Sequence, residues 1–247
     1  MEGPVNPRMT ASEPILNVPR PVVLAAALMI AVQVVRSLLP DEIDVTVLLS
    51  LAFIPARYSG AAANLPGGYL AAVTSFVTYM VVHGSWMHLL VNVLWMLAFG
   101  TAVARRIGTL GFFEFSILCG IAGAVTHLVF HWGEMAPVVG ASAAISGQMA
   151  GALRFIFSAQ REPGERLPDF SRSPLASLGQ TLRDHRIIGF LIFWVVLNAY
   201  FGLTSVSFSG ASDGIAWEAH IGGFLCGLLT FGLFDRSRVA EEASQVR

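Results

Sequence analysis

Gly140–Ala141–Ser142–Ala143–Ala144–Ile145–Ser146–Gly147 is the stretch from which the rest of the chain is read. One hydroxyl, Ser142, stands among tiny residues in an apolar run, where another backbone can approach closely and a polar group calls for a purpose. The purpose it suggests is nucleophilic attack. A serine hydroxyl attacks nothing without a general base, so the reading requires a histidine within reach.

Around this stretch lie 247 residues, 55% apolar and 13% charged. Soluble domains carry roughly 25% charged residues, so the composition predicts an all-α polytopic membrane protein. A net charge of −1 offers no basic surface for nucleic acid, and no such partner is expected. Six apolar runs stand out: Pro21–Leu39, Trp86–Ala104, Phe112–Trp132, Val138–Ala159, Ile187–Thr204 and Trp217–Phe234. Each is near the ~20 residues that cross ~30 Å of hydrocarbon.

Every basic residue is an arginine, and with a cytoplasmic N-terminus only Arg36 and Arg57 fall on the outer side. That bias predicts six crossings with both termini inside. The membrane domain then occupies residues 21–235, between a flexible, proline-rich lead at 1–20 and a tail at 236–247, both cytoplasmic. Cys119 and Cys226 fall inside apolar runs and read as small hydrophobes. Between Asp44 and Gly84 the runs Val45–Ile54 and Tyr69–Val82 are too short to cross and are broken by Pro55, Pro66, Gly67 and Gly68. They predict a long, membrane-associated first outer loop of short helices.

Polar residues gather at the outer ends of the spans. The second opens His83–Gly84–Ser85–Trp86–Met87–His88–Leu89–Leu90–Val91–Asn92, where His88 and Asn92 share a helical face one turn apart. The third carries His127 and His131 at the same spacing, which can hold a metal, and Glu134 follows. No third ligand pattern lies close, so this pair is read as lining the interior or the outer interface. No metal or other cofactor is expected. Asn198, in the fifth span, reads as a polar contact between helices, and Ser205–Gly214 as a movable cover.

The last span begins Trp217–Glu218–Ala219–His220–Ile221–Gly222–Gly223–Phe224–Leu225–Cys226–Gly227. Ala219, Gly223 and Gly227 repeat every four residues, as Ala143, Gly147 and Gly151 do in the fourth span. Two such stripes predict that these helices touch. Both helices run inward from the outer side, so Ser142 and His220 come to similar depth, with a base within reach of a nucleophile.

Taken together, these residues resemble those of rhomboid intramembrane serine proteases. The likeness rests on the His-x-x-x-Asn helix at His88–Asn92 with His83 before it, on the Gly-x-Ser motif at Gly140–Ser142, and on Ala219–His220–Ile221–Gly222–Gly223 with Gly227. It implies a six-span bundle and a Ser142–His220 dyad that cleaves transmembrane protein substrates near their outer ends, within the lipid bilayer. His88, Asn92 and the Ser142 backbone N–H would meet the oxyanion, and His83, Gly140, Gly147, Ala219, Gly222, Gly223 and Gly227 would support the site. The His220 ring would be held by packing against the glycine-rich helix contact.

Compactness and six crossings suit a bacterial cytoplasmic membrane, and the sequence assigns no oligomeric state. Ala143 stands where the family often has glycine, and Ser146 where an aromatic residue can support the histidine. The competing readings are a rhomboid-fold protein that binds clients without cleaving them and a histidine-based metal transporter.

Overall fold

Pro19 and Pro40 each stand just before a helix, where a missing backbone N–H costs nothing. In the computed structural model, which describes residues 18–158, 173–203 and 216–235, they precede α1 (Arg20–Ser37) and α2 (Asp41–Leu51). Two short 3-10 turns, Pro55–Ser59 and Ala62–Asn64, lead to α3 (Gly68–Thr78), and a third follows at Tyr79–Val81. This is the expected outer loop of short helices. Its outward face at α3 is apolar, with Tyr69, Leu70 and Val73 all 73–74% exposed, which suits contact with lipid.

The two outer arginines hold that loop in shape. Arg57 is buried and donates to the carbonyls of Leu49 at 2.6 Å and Pro66 at 2.8 Å. Arg36, also buried, pairs with Asp44 at 2.8 Å and donates to the His83 carbonyl at 2.7 Å. A guanidinium has five donors in a fixed fork, so a single side chain satisfies carbonyls from several turns.

α4 (Trp86–Trp95) passes through a five-residue π-turn, Met96–Gly100, into α5 (Thr101–Phe130). Trp86–Phe130 is 45 residues of nearly uninterrupted helix. Straight, it would be roughly 68 Å long, far more than a bilayer core. Gly108, at φ 76° and ψ −177°, breaks it, in a conformation that L side chains avoid. The chain doubles back there, because the Phe112 ring comes within 3.3 Å of where a Cβ on Gly100 would sit. Gly108 makes this turn, whereas Gly111, three residues on, is helical and packs on Ile107.

After α5 an extended segment returns toward the centre, with Val138 bridged to Phe53 and the Gly140 N–H donating to the Tyr79 carbonyl at 2.9 Å. α6 (Ser142–Ile156) follows, and every residue from Ala143 to Phe155 is buried. It begins at Ser142, later than the expected span Val138–Ala159, because the lead-in backbone is tied to the outer loop. A single turn, α7 (Leu178–Thr181), closed by a Ser177–Gln180 capping box, precedes α8 (His185–Leu203) and α9 (Trp217–Phe234).

α5, α6 and α9 form the centre. A Cβ on Gly223 would collide with the Ala143 carbonyl, and one on Gly227 with the Gly147 backbone. A Cβ on Gly123 of α5 would lie 2.5 Å from the Ala143 methyl and 2.7 Å from the Ala219 carbonyl. The two small-residue stripes therefore face each other, with α5 wedged beside them. At the far end Arg106 pairs with Asp235 at 2.7 Å, fastening the start of α5 to the end of α9.

α1 and α8 sit outside this core and turn large apolar residues outward, among them Leu24, Ile192, Phe193 and Val196. Among the described residues three helical segments, Arg20–Ser37, Trp86–Phe130 and Trp217–Phe234, are long and apolar enough to cross a membrane. The chain is an all-α polytopic membrane protein. The cover expected at Ser205–Gly214 lies outside the described residues, as do most of the N-terminal lead and the C-terminal tail.

Candidate active site

Gly140 has φ 112°, and its bare Cα faces the His88 ring, which would lie 2.7 Å from a Cβ. With no side chain there, α4 and the start of α6 come together. Ser142 is the first residue of α6, so its N–H has no partner within the helix and sits at the positive end of the dipole. His88 and Asn92 lie on the adjoining face of α4, whose first turn is capped by the Ser85 hydroxyl accepting from the His88 N–H at 3.1 Å. The Asn92 Nδ2 donates to the His88 carbonyl at 2.9 Å.

The close contact of α6 with α9 brings the His220 Nε2 to 2.7 Å from the Ser142 Oγ. On the other side of the ring, Nδ1 lies 2.6 Å from the Asn198 Oδ1. The Asn198 Nδ2 donates to the Trp194 carbonyl at 2.8 Å, so its oxygen is the atom facing His220. An amide oxygen only accepts, so the proton of the neutral imidazole is on Nδ1. The Nε2 lone pair then points at the serine hydroxyl.

Asn198 contacts another helix, as expected, but the group it contacts is the ring of His220. That ring is held by a hydrogen bond as well as by packing. The signal was a lone amide in an apolar run, but its partner lies 22 residues away on another helix and no spacing rule connects them.

Ser142, His220, His88, Asn92 and Tyr79 line a cavity of about 900 Å³ whose remaining walls are largely apolar. Convergent polar groups in an apolar hollow are the usual form of a ligand site. A model of the Rhomboid domain matches residues 71–236, from within α3 to just past α9. The chain belongs to the rhomboid family. No individual curated protein matches it. Rhomboid proteins are for the most part intramembrane serine proteases, with inactive members among them.

The match takes in the whole constellation of this rhomboid and leaves α1 and α2 outside. His83 is fully buried, edge-on to His88 with ring centroids 5.2 Å apart, and stands behind the cavity wall. Gly147, Ala219, Gly223 and Gly227 lie in the α5–α6–α9 contact, whereas Gly222 faces Thr126 and the Ala122 carbonyl of α5.

The two departures from the family pattern have local explanations. The Ala143 methyl fits because α5 presents Gly123 to it. The Ser146 hydroxyl donates to the Ser142 carbonyl of its own helix at 2.8 Å, and the support that an aromatic residue would give His220 comes from Asn198 instead. His127 and His131, for which the sequence offers only Glu134, meet Glu218 from α9 on the same cavity wall.

Proposed function

We propose that this rhomboid is an intramembrane serine endopeptidase working through a Ser142–His220 dyad. The observation that carries the reading is the 2.7 Å contact between the Ser142 Oγ and the His220 Nε2 at the edge of a cavity large enough for an extended peptide. Ser142 attacks the scissile carbonyl while His220 takes its proton. His220 then gives that proton to the leaving amine, and the same base activates the water that hydrolyses the acyl-enzyme.

Asn198 supports the dyad by accepting from the Nδ1–H, which fixes the ring and its tautomer. As a neutral acceptor it stabilises the transient imidazolium less than a carboxylate does. The carbonyl oxygen becomes negative as the tetrahedral intermediate forms. The Ser142 N–H, the Asn92 amide and the His88 ring are the donors proposed to meet it.

The substrate class is a transmembrane helix of another protein, entered near its outer end where it unwinds. An intact helix hides its carbonyls in hydrogen bonds, so cleavage requires local unwinding. The proposed topology has six crossings over residues 21–235, with the lead and tail in the cytoplasm of a bacterial cell. The broken segment Trp86–Phe130 supplies two of those crossings.

Purified protein in detergent is expected to cleave a model transmembrane substrate, with activity lost in Ser142→Ala and in His220→Ala. A fluorophosphonate should modify Ser142 and no other serine. Undiminished turnover by folded Ser142→Ala would overturn the mechanism.

A further inference from the structure

The last turn of α5 carries His127, and His131, which caps that turn, follows it on the same side, while α9 sets Glu218 against both. The His131 Nε2 lies 3.2 Å from the Glu218 Oε1, and the His127 Nδ1 3.8 Å from the Oε2. All the potential ligand atoms lie within 4.8 Å of one another. His127 and Glu218 are 6% and 9% exposed, and the three residues line the cavity wall. Although both are buried, neither the His127 Nδ1 nor the His131 Nε2 makes an aligned hydrogen bond. Proteins rarely leave two such nitrogens facing one carboxylate with no ligand to share.

We propose that His127, His131 and Glu218 bind a divalent transition-metal cation of the zinc type, tying α5 to the first turn of α9. Two imidazoles and a carboxylate form a donor set for zinc, cobalt or nickel, whereas calcium and magnesium require mostly oxygen. Ligand atoms about 2.0–2.2 Å from a tetrahedral zinc stand roughly 3.3 Å from one another. The 3.2 and 3.8 Å separations, each to a different Glu218 oxygen, lie near that value, and side-chain rotation must draw in the rest of a set that lies within 4.8 Å.

Glu134 supports the same reading. Its Oε2 is 2.9 Å from the His131 Nδ1, so this nitrogen donates to the carboxylate and the Nε2 keeps its lone pair for the metal. The fourth coordination position faces the cavity and is filled by water. Glu218 lies two residues before His220, so the bound cation braces the turn of α9 that carries the dyad histidine. The site is independent of the chemistry at Ser142.

The test uses full-length protein without a histidine tag, stripped with chelator, in the Ser142→Ala background so that the two readings stand apart. Titration with cobalt(II) should give saturable binding of one ion per chain with visible d–d absorbance, and zinc should displace it. Cobalt should also raise the thermal midpoint. His131→Ala, at a half-buried position, and Glu218→Gln should abolish both signals, and Glu134→Gln, at an exposed one, should weaken binding about 10- to 100-fold. No saturable cobalt binding by the parent protein, or equal affinity in folded His131→Ala and Glu218→Gln, overturns the proposal and leaves an ion-pair cluster only.

Discussion

The Asn198 Oδ1 lies 2.6 Å from the His220 Nδ1, and this contact leaves the lone pair on Nε2, the ring nitrogen that faces the Ser142 hydroxyl. Asn198→Ala should therefore lower kcat while leaving KM nearly unchanged. General-base catalysis is worth about 10²–10⁴-fold, and losing the alignment of the base forfeits part of it, so the expected loss is about 10- to 100-fold. Asn198→Asp keeps an acceptor at the same place and should retain much more activity. Steady-state cleavage of a model substrate separates the two; a change in KM alone in Asn198→Ala would contradict the orienting role.

Asn92 is buried on α4 and faces the cavity beside Ser142. If its amide meets the oxyanion, Asn92→Ala should cost about 10²–10³-fold in kcat with substrate affinity unchanged. The measurement is single-turnover cleavage together with substrate binding to the Ser142→Ala protein.

Gly223 is in backbone contact with Ala143, where no flexible side chain can yield. Gly223→Ala should force α9 away from α6 and destabilise the protein by about 1–3 kcal/mol. Thermal unfolding in detergent reads the loss. The same displacement lengthens the Ser142–His220 contact, so activity should fall further than the unfolded fraction explains.

Gly140 combines a φ of 112° with a position that would put a Cβ 2.7 Å from the His88 Nε2. Gly140→Ala therefore carries roughly 1–2 kcal/mol of backbone strain and pushes the His88 ring aside. A misplacement of about 1 Å near the reacting groups can cost 10²-fold. The check is a kcat measurement beside a thermal midpoint. Full activity at a lowered midpoint would remove His88 from the oxyanion role.

Much of this was legible in the residues. The small-residue stripes on α6 and α9 carry their own period, and a four-residue repeat of Gly and Ala has meaning only as a helix contact. The outer loop was legible because Pro55, Pro66, Gly67 and Gly68 interrupt runs too short to cross. The turn at Gly108 was readable only to within a few residues, since two glycines stood near it and the deciding quantity is a backbone angle. Asn198 and Glu218 escaped for another reason. Each acts on a partner in a different helix, and an isolated amide or carboxylate carries no periodicity to announce which helix that is.

The sequence by itself determined the membrane class, the helical architecture, the family resemblance and the candidate pair Ser142 and His220. Those depend on composition, on the 3.6-residue repeat and on motifs read along one chain. Only the tertiary structure decided that the Asn198 oxygen faces the Nδ1 of His220, that Gly123 receives the Ala143 methyl, and that Glu218 completes a three-residue cluster with His127 and His131. The physical reason is that hydrogen bonds and metal ligation depend on ångström-scale placement across helices. That placement is set by the packing of α5, α6, α8 and α9, and not by any spacing within one of them.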